Sequence, residues 1–322
     1  VESIITTELA TDLPNLEVFS ATLQDLASTD RDIIVVTSDS RGSGKLVPFG
    51  MKYPKQLVEI GIAEQNMVGV AAGIASTGKK VFAVSPACFL TARSFEQIKN
   101  DVAYSDNPVS LIGISAGVSY GPLGSTHHSL HDFAALRAIN NLIVVAPADN
   151  FETEEAIRQA AALQKPIYLR FGKKSMPLLP NLDHHFEFGK GRVVRTGKDL
   201  AIIATGETVY PAYQAAEKMW KDQQIDAEVV SMHTIKPLDY QLLAQIAESG
   251  KAIVTVEEHS VFGGLGEACA SWLIQNNHHN PFKIIGIPDE YTVTGSQNDI
   301  FNHYGISENG IALVAKELLK VS

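Results

Sequence analysis

The sequence predicts an α/β protein of two domains, each a mostly parallel sheet covered by helices. Three features carry this reading. The chain has 322 residues, enough for two domains at roughly 150 residues apiece. Short apolar runs rich in β-branched residues alternate with helix-like stretches, the pattern of parallel strands covered on both faces. One irregular stretch near the middle interrupts that alternation, which then begins again.

Ile33 to Val36 reads as the first buried strand, Val81 to Val84 as the second and Val109 to Ile114 as the third. Leu142 to Val145 and Pro166 to Leu169 follow. Between them, helices are expected over Glu64 to Ser76, Thr91 to Tyr104, Leu130 to Ile139 and Phe151 to Leu163. Asp149 stands just before the last of these and suits an N-cap. The interruption holds prolines, paired histidines and glycines, and reads as a linker. The boundaries expected are therefore 1–175 for the first domain, 176–189 for the linker and 190–322 for the second domain. In the second domain, strands are expected at Leu200 to Ala204, Ala227 to Val230, Ala252 to Val256 and Lys283 to Ile287. Helices are expected over Val209 to Trp220 and from near Gly266. No internal repeat or low-complexity tract is evident.

Composition narrows the function. Hydrophobic residues make up 45% of the chain and charged residues 19%, so a full core can form. The net charge of −10 argues against nucleic acid and anionic membrane as partners. No apolar run approaches the ~18 residues of a spanning helix, and the first residues lack a charged-then-apolar leader pattern. Cys88 and Cys269 form neither a disulfide framework nor a CxxC zinc pattern. A soluble enzyme of a reducing compartment, the cytoplasm, is expected.

Several segments can carry chemistry. Glu64 stands at the start of a strongly apolar helix, flanked by Gly61, Gly69 and Gly73. It reads either as a first-turn acid favoured by the helix dipole or as a buried carboxyl that holds or donates a proton. The glycine-rich loop from Gly117 to Ser129 lies between a strand and a helix, where open parallel sheets place ligands. Its adjacent His127 and His128 suit proton carriers or substrate donors, or a surface pair with no role. A metal site is the weaker idea, because no third ligand is spaced nearby. Thr37 to Gly44, again just past a strand, is a Ser- and Gly-rich turn with Arg41 that suits an anion, or is an ordinary capped turn. Gly263-Gly264-Leu265-Gly266 resembles half a dinucleotide fingerprint and alone serves equally well for close helix packing.

Taken in order, these segments resemble the C-terminal half of transketolases. The resemblance rests on Gly61-Ile-Ala-Glu64-Gln65-Asn66-Met67, then Arg93-Ser-Phe95-Glu-Gln97-Ile98, then Gly124-Ser-Thr126-His127 and Ala135-Leu136-Arg137. Ala146-Pro147-Ala-Asp149, Glu257-Glu258-His259 and Gly263-Gly264-Leu-Gly266 continue it, from about residue 15 onward. It implies a pyrimidine-binding domain followed by the C-terminal domain of a thiamine-diphosphate enzyme. The Gly-Asp-Gly motif of the family's diphosphate-binding domain occurs nowhere in this sequence. The resemblance therefore implies one subunit of a split transketolase. An N-terminal diphosphate-binding partner would hold Mg2+ or Ca2+, in a two-plus-two heterotetramer acting on sugar phosphates, and no metal ligand is expected on this chain.

The resemblance also implies roles. Glu64 matches the family Glu that contacts the aminopyrimidine ring, where its proton favours the imino tautomer that deprotonates the thiazolium. Asp39 matches an Asp near the thiazolium, and Ser43 a Ser that helps hold substrate phosphate. His127 matches a His that binds substrate hydroxyls or assists proton transfer. Either Arg170 or Lys173 falls at a phosphate-binding Arg. Three positions depart from the family. Leu123 replaces an Asp that contacts an acceptor hydroxyl. Ser115 stands where many members carry a phosphate-binding His, which leaves Arg41 as an alternative anion grip. Phe89 fills the aromatic stacking role only after a local shift. The expected reaction is transfer of a two-carbon ketol unit from a ketose phosphate to an aldehyde or ketone acceptor. The altered acceptor pocket suits an unusual sugar phosphate such as apulose 4-phosphate. Alternatives are a 2-oxo-acid dehydrogenase beta subunit, a deoxyxylulose-phosphate-synthase-like enzyme, and a non-catalytic assembly paralogue.

Overall fold

The computed structural model describes residues 13–180, 182 and 185–320. The reading of residues 1–12 and His184 of the linker pair lie outside the described residues. Twelve strands are described: β1 (Ile33–Thr37), β2 (Leu57–Glu59), β3 (Lys80–Pro86), β4 (Val109–Ile114), β5 (Ile143–Val145) and β6 (Ile167–Arg170), then β7 (Arg192–Arg195), β8 (Leu200–Ala204), β9 (Ala227–Ser231), β10 (Thr234–Lys236), β11 (Ala252–Ser260) and β12 (Phe282–Ile287).

They form two sheets. The first has seven strands in the order β10-β5-β6-β4-β3-β1-β2, and the second five in the order β12-β11-β8-β9-β7. All pairings are parallel except β10 with β5 and β7 with β9. The fold class is thus the one expected, two mostly parallel sheets covered by helices. The central strands β4 and β8 are buried at every residue, which explains their unbroken apolar composition.

The differences are local. The expected helix from Thr91 to Tyr104 is three pieces: Ala87–Arg93, Phe95–Gln97, and a π-helix over Ile98–Tyr104. The break falls at Ser94, whose hydroxyl bonds back to the Leu90 carbonyl, a competition that disturbs helix propagation. Helices at Asn15–Thr29, Tyr240–Glu248, Gln297–His303 and Glu308–Leu319 and the short edge strands were not anticipated. Strand β10 is the most consequential of these, because a segment beyond residue 190 completes the edge of the first sheet.

A buried ion network joins the two halves. Asp149 caps its helix as expected, its Oδ1 accepting the Glu152 N–H at 2.9 Å. Its Oδ2 accepts from Arg192 Nη2 at 2.7 Å, while Arg192 Nε donates to Glu152 Oε1 at 2.8 Å. Arg192 opens β7, so the same carboxylate ends one loop and docks the next sheet.

Candidate functional site

In the first sheet, β2 and β3 leave β1 on opposite sides. The chain order reverses there, and ligands gather at such a reversal, beyond the carboxyl ends of the strands. The candidate residues lie at those ends. Asp39 follows β1, Phe89 follows β3, Ser115 follows β4 and Lys173 follows β6. Glu64 begins the helix after β2, which runs Glu64–Ala75. Asp39 and Ser115 both have φ of 54°, a left-handed conformation uncommon for non-glycine residues and concentrated at functional loops.

The side chains make one continuous row. Glu64 is only 4% exposed, yet it borders a groove of about 480 Å3 shared with Ile62, Gln65, Asn66 and Arg93. Arg93 Nη1 donates to both Glu64 oxygens, at 2.8 and 3.0 Å. The same guanidinium lies 4.2 Å from the centre of the Phe89 ring. Phe89 meets His127 edge-on, with ring centroids 5.4 Å apart, and His127 meets Tyr120 in the same way at 5.4 Å. Lys173 Nζ then sits 4.0 Å from the Tyr120 ring centre. Glu64, Phe89, His127 and Lys173 are thereby linked through two residues that received no role from the sequence, Arg93 and Tyr120. Arg93 could have been found from its spacing, one helical turn after Phe89. Tyr120 carried no comparable signal. Burial raises the Tyr120 phenol above its ordinary pKa.

The two adjacent histidines separate in function. His128 is buried; its Nδ1 bonds the Thr292 hydroxyl at 2.6 Å and its Nε2 the Gly121 carbonyl at 3.0 Å. Burial lowers its pKa, so it is a neutral structural fastener. His127 remains accessible, with Nδ1 3.0 Å from the Thr126 hydroxyl. The second domain holds this loop in place: Glu258 Oε1 accepts the Val118 N–H at 2.9 Å, and Ser125 bonds Thr292 at 2.9 Å. Burial first, then the charge of Glu207, push the Glu258 carboxyl up to about 8. Leu123, at the loop's tip, is 55% exposed.

The turn after β1 stands apart from the row. The Asp39 N–H is bound by Glu59 Oε1 at 2.7 Å, leaving the Asp39 side chain exposed. Ser43 is exposed, and its hydroxyl donates to the Ser40 carbonyl at 3.2 Å. Arg41 is half-buried against Gly50, where any Cβ would fall 2.3 Å from its Nη2.

Arg170 requires a correction. It is 5% exposed, and its Nε and Nη2 donors are committed inside the protein. Nε bonds Asp132 Oδ2 at 2.8 Å, and Nη2 bonds the Ser129 and Glu258 carbonyls at 3.1 and 2.7 Å. Nη1 alone makes no hydrogen bond, at 3.8 Å from Glu258 Oε2, so of the two alternatives Lys173 has the more accessible side chain. The glycine run after β11 is likewise structural. Glu257 accepts the N–H groups of Leu265 and Gly266 at 2.7 and 2.9 Å, and a Cβ on Gly264 would fall 1.8 Å from that carboxylate. Among the described residues, no three His, Cys, Asp or Glu side chains are grouped to hold a metal. None of the described helices is long and apolar enough to cross a membrane.

Comparison with known proteins bears on this geometry. Residues 13–177 match the family model for the transketolase pyrimidine binding domain, and residues 189–311 that for the transketolase C-terminal domain. The chain is 47% identical to one subunit of an apulose-4-phosphate transketolase, from Phocaeicola vulgatus, over 94% of this chain and 96% of that one. It is 37% identical to a putative transketolase C-terminal section of Methanocaldococcus jannaschii, over 94% and 95%. Among solved structures it is similar to a split gene transketolase in an inactive beta4 tetramer. That match has a TM-score of 0.85 and 33% identity, and covers 96% of this chain and 99% of that one.

Proposed function

The chain belongs to the transketolase family, and we propose that it is the pyrimidine-binding and C-terminal subunit of a split, thiamine-diphosphate-dependent transketolase. One observation supports the cofactor assignment above the others. Glu64 and Phe89 jointly hold a planar, nitrogen-bearing group, the Arg93 guanidinium, through paired hydrogen bonds and a ring face. A carboxyl and an aromatic face arranged in that way suit an aminopyrimidine ring. In this reading Glu64 holds a proton at a ring nitrogen of the pyrimidine and Phe89 stacks on it. Asp39 stands toward the thiazolium. When bound, the cofactor supplies the carbon nucleophile and the electron sink for carbon–carbon cleavage. His127 orients substrate hydroxyls or carries a proton. Lys173 grips the phosphate, with Arg41 and Ser43 on the separate turn after β1 and Ser115 after β4 as further candidates. The chain divides near residues 175 and 190 into pyrimidine-binding and C-terminal domains.

The partner in this proposal is an N-terminal diphosphate-binding subunit that holds Mg2+ or Ca2+. Two of each chain would assemble by closed symmetry as a cytoplasmic heterotetramer. The exposed Ile62 at the Glu64 groove, 75% accessible, suits burial against that subunit. The purified chain with cofactor and magnesium is expected to show no ketol transfer, and addition of the partner subunit to restore it. Robust turnover by the chain alone refutes the split assignment.

The substrate is proposed to be an unusual ketose phosphate, with apulose 4-phosphate the leading candidate because the Phocaeicola vulgatus relative carries that name; loss of its two-carbon ketol unit leaves a dihydroxyacetone-type phosphate, the acceptor in the reverse direction. Leu123 supports it chemically. An Asp there accepts a hydrogen bond from the hydroxyl beside the acceptor carbonyl, and Leu cannot, which costs ~1–3 kcal/mol for a hydroxyl that the assembled site buries unpaired. A ketone acceptor lacking that stereocentre loses less. The wild type is therefore expected to favour a dihydroxyacetone-type phosphate over ribose 5-phosphate in kcat/KM, and Leu123→Asp to shift the ratio toward ribose 5-phosphate. A wild-type preference for ribose 5-phosphate that the variant does not change rejects the idea.

A further inference from the structure

A second cavity, of about 540 Å3, lies away from the row just described. It opens at the other reversal of chain order. In the second sheet β8 is flanked by β9 on one side and β11 on the other, the topology that places a crevice beyond the carboxyl ends of the strands. Its size falls within the range of small-molecule sites. Lys174 and Glu207 line it, together with the amides of Gln214, Gln297, Asn298 and Asn302. Consecutive lysines thus serve two places: Lys173 reaches Tyr120, and Lys174 Nζ bonds Asn298.

Gln297 is the informative residue. It is 5% exposed, and its Nε2 donates to two buried carboxylates, Glu207 at 2.6 Å and Glu258 at 2.7 Å. Its Oε1 accepts no hydrogen bond. A buried amide oxygen without a donor is costly, and a ligand that donates would satisfy it.

The charges decide which donor. Burial raises both Glu207 and Glu258, and they repel each other, so the pair retains a proton at neutral pH. The negative charge left on the pair is matched by Lys174, whose ammonium interacts with Glu207 and Glu258, while Arg170, which also faces both carboxylates, is offset by Asp132. Glu308 also lines the cavity but stands in the first turn of its own helix, where the helix dipole favours a carboxylate. Glu308 is thus the single unmatched charge of the lining, so no positive charge remains to attract a phosphate and no cluster of carboxylates to hold a cation. What remains are amides, which donate and accept alike, and the apolar walls of Tyr210 and Phe301. That combination suits a molecule with many hydroxyls and a C–H face.

We propose that this cavity is a second, non-catalytic binding site for an uncharged sugar or sugar alcohol. The test is isothermal titration calorimetry of the full chain with ribitol, D-ribose and D-fructose, and with ribitol 5-phosphate and putrescine as charged probes. Saturable binding of at least one neutral probe at one per chain is expected. It should weaken at least tenfold in the double variant Gln214→Ala/Asn302→Ala, whose side chains are not part of the buried network. It should be unchanged in His127→Ala, which separates this cavity from the proposed catalytic row. Absence of saturable binding by all three neutral probes overturns the proposal. So does a tenfold preference for either charged probe, or loss of binding in His127→Ala.

Discussion

Glu64→Gln in the assembled enzyme is expected to lower kcat by ~10²–10⁴-fold, the usual contribution of a positioned acid–base group, while cofactor affinity and thermal stability change little. The geometry explains the separation. The amide keeps the shape and can still hydrogen bond, but it cannot give and take a proton at a ring nitrogen. Glu64 pairs with Arg93, whose side chain is 47% exposed. Once the carboxylate is neutralised, water can solvate that guanidinium, and a partly exposed pair contributes only ~0.2–1 kcal/mol. A residue that served only as a first-turn charge would show the opposite pattern, a loss of ~0.3–1 kcal/mol from the helix dipole with turnover intact. Measuring kcat, cofactor Kd and the melting temperature on the same samples distinguishes the two. Unchanged kcat removes Glu64 from the chemistry.

How much of this was legible in the sequence follows from what each residue depends on. The sheets were legible because strands buried on both faces must be continuously apolar, as Val109–Ile114 and Leu200–Ala204 are. The short edge strands β2, β7 and β10 were not, because three or four residues are too few to show a distinguishing period. Their pairing is decided by tertiary contacts. Glu64 and His127 were legible as candidates because each stands in a glycine-rich setting past a strand. That Arg93 and Tyr120 join the row from Glu64 to Lys173 was not, since its contacts bring together four separate segments of the chain. The histidine pair shows the limit most clearly. Local sequence treats His127 and His128 alike, and only Thr292, more than 160 residues away, makes one of them structural. Arg170 and Lys173 were equally close to the expected phosphate position, and what divides them is Asp132, a partner 38 residues distant.

That division leads to the largest expected stability effect. Arg170→Met is expected to destabilise the protein by about 3–5 kcal/mol, the usual cost of removing one partner from a buried ion pair. Asp132 is fully buried and accepts from Arg170 Nε and the Tyr168 hydroxyl, both at 2.8 Å. Burial alone would raise its pKa. The Arg170 and His259 charges and the Tyr168 hydrogen bond outweigh that and hold it below the ordinary 3.8. A depressed carboxyl stabilises the fold above its unfolded pKa, and that contribution fades as pH falls through the folded value. Without Arg170 the effect of burial prevails and the folded pKa rises instead. The variant then carries its full penalty at neutral pH and recovers part of it on acidification, so the gap between wild type and variant should narrow as pH falls toward 4. Lys173→Ala supplies the contrast. Its ammonium rests on the exposed side of Tyr120, where substitutions usually stay within ~0.5 kcal/mol, and it is expected to raise KM for phosphorylated substrates instead. Urea unfolding of both variants across pH, alongside KM in the assembled enzyme, decides the matter. An Arg170→Met protein of unaltered stability and raised KM would return the phosphate contact to Arg170.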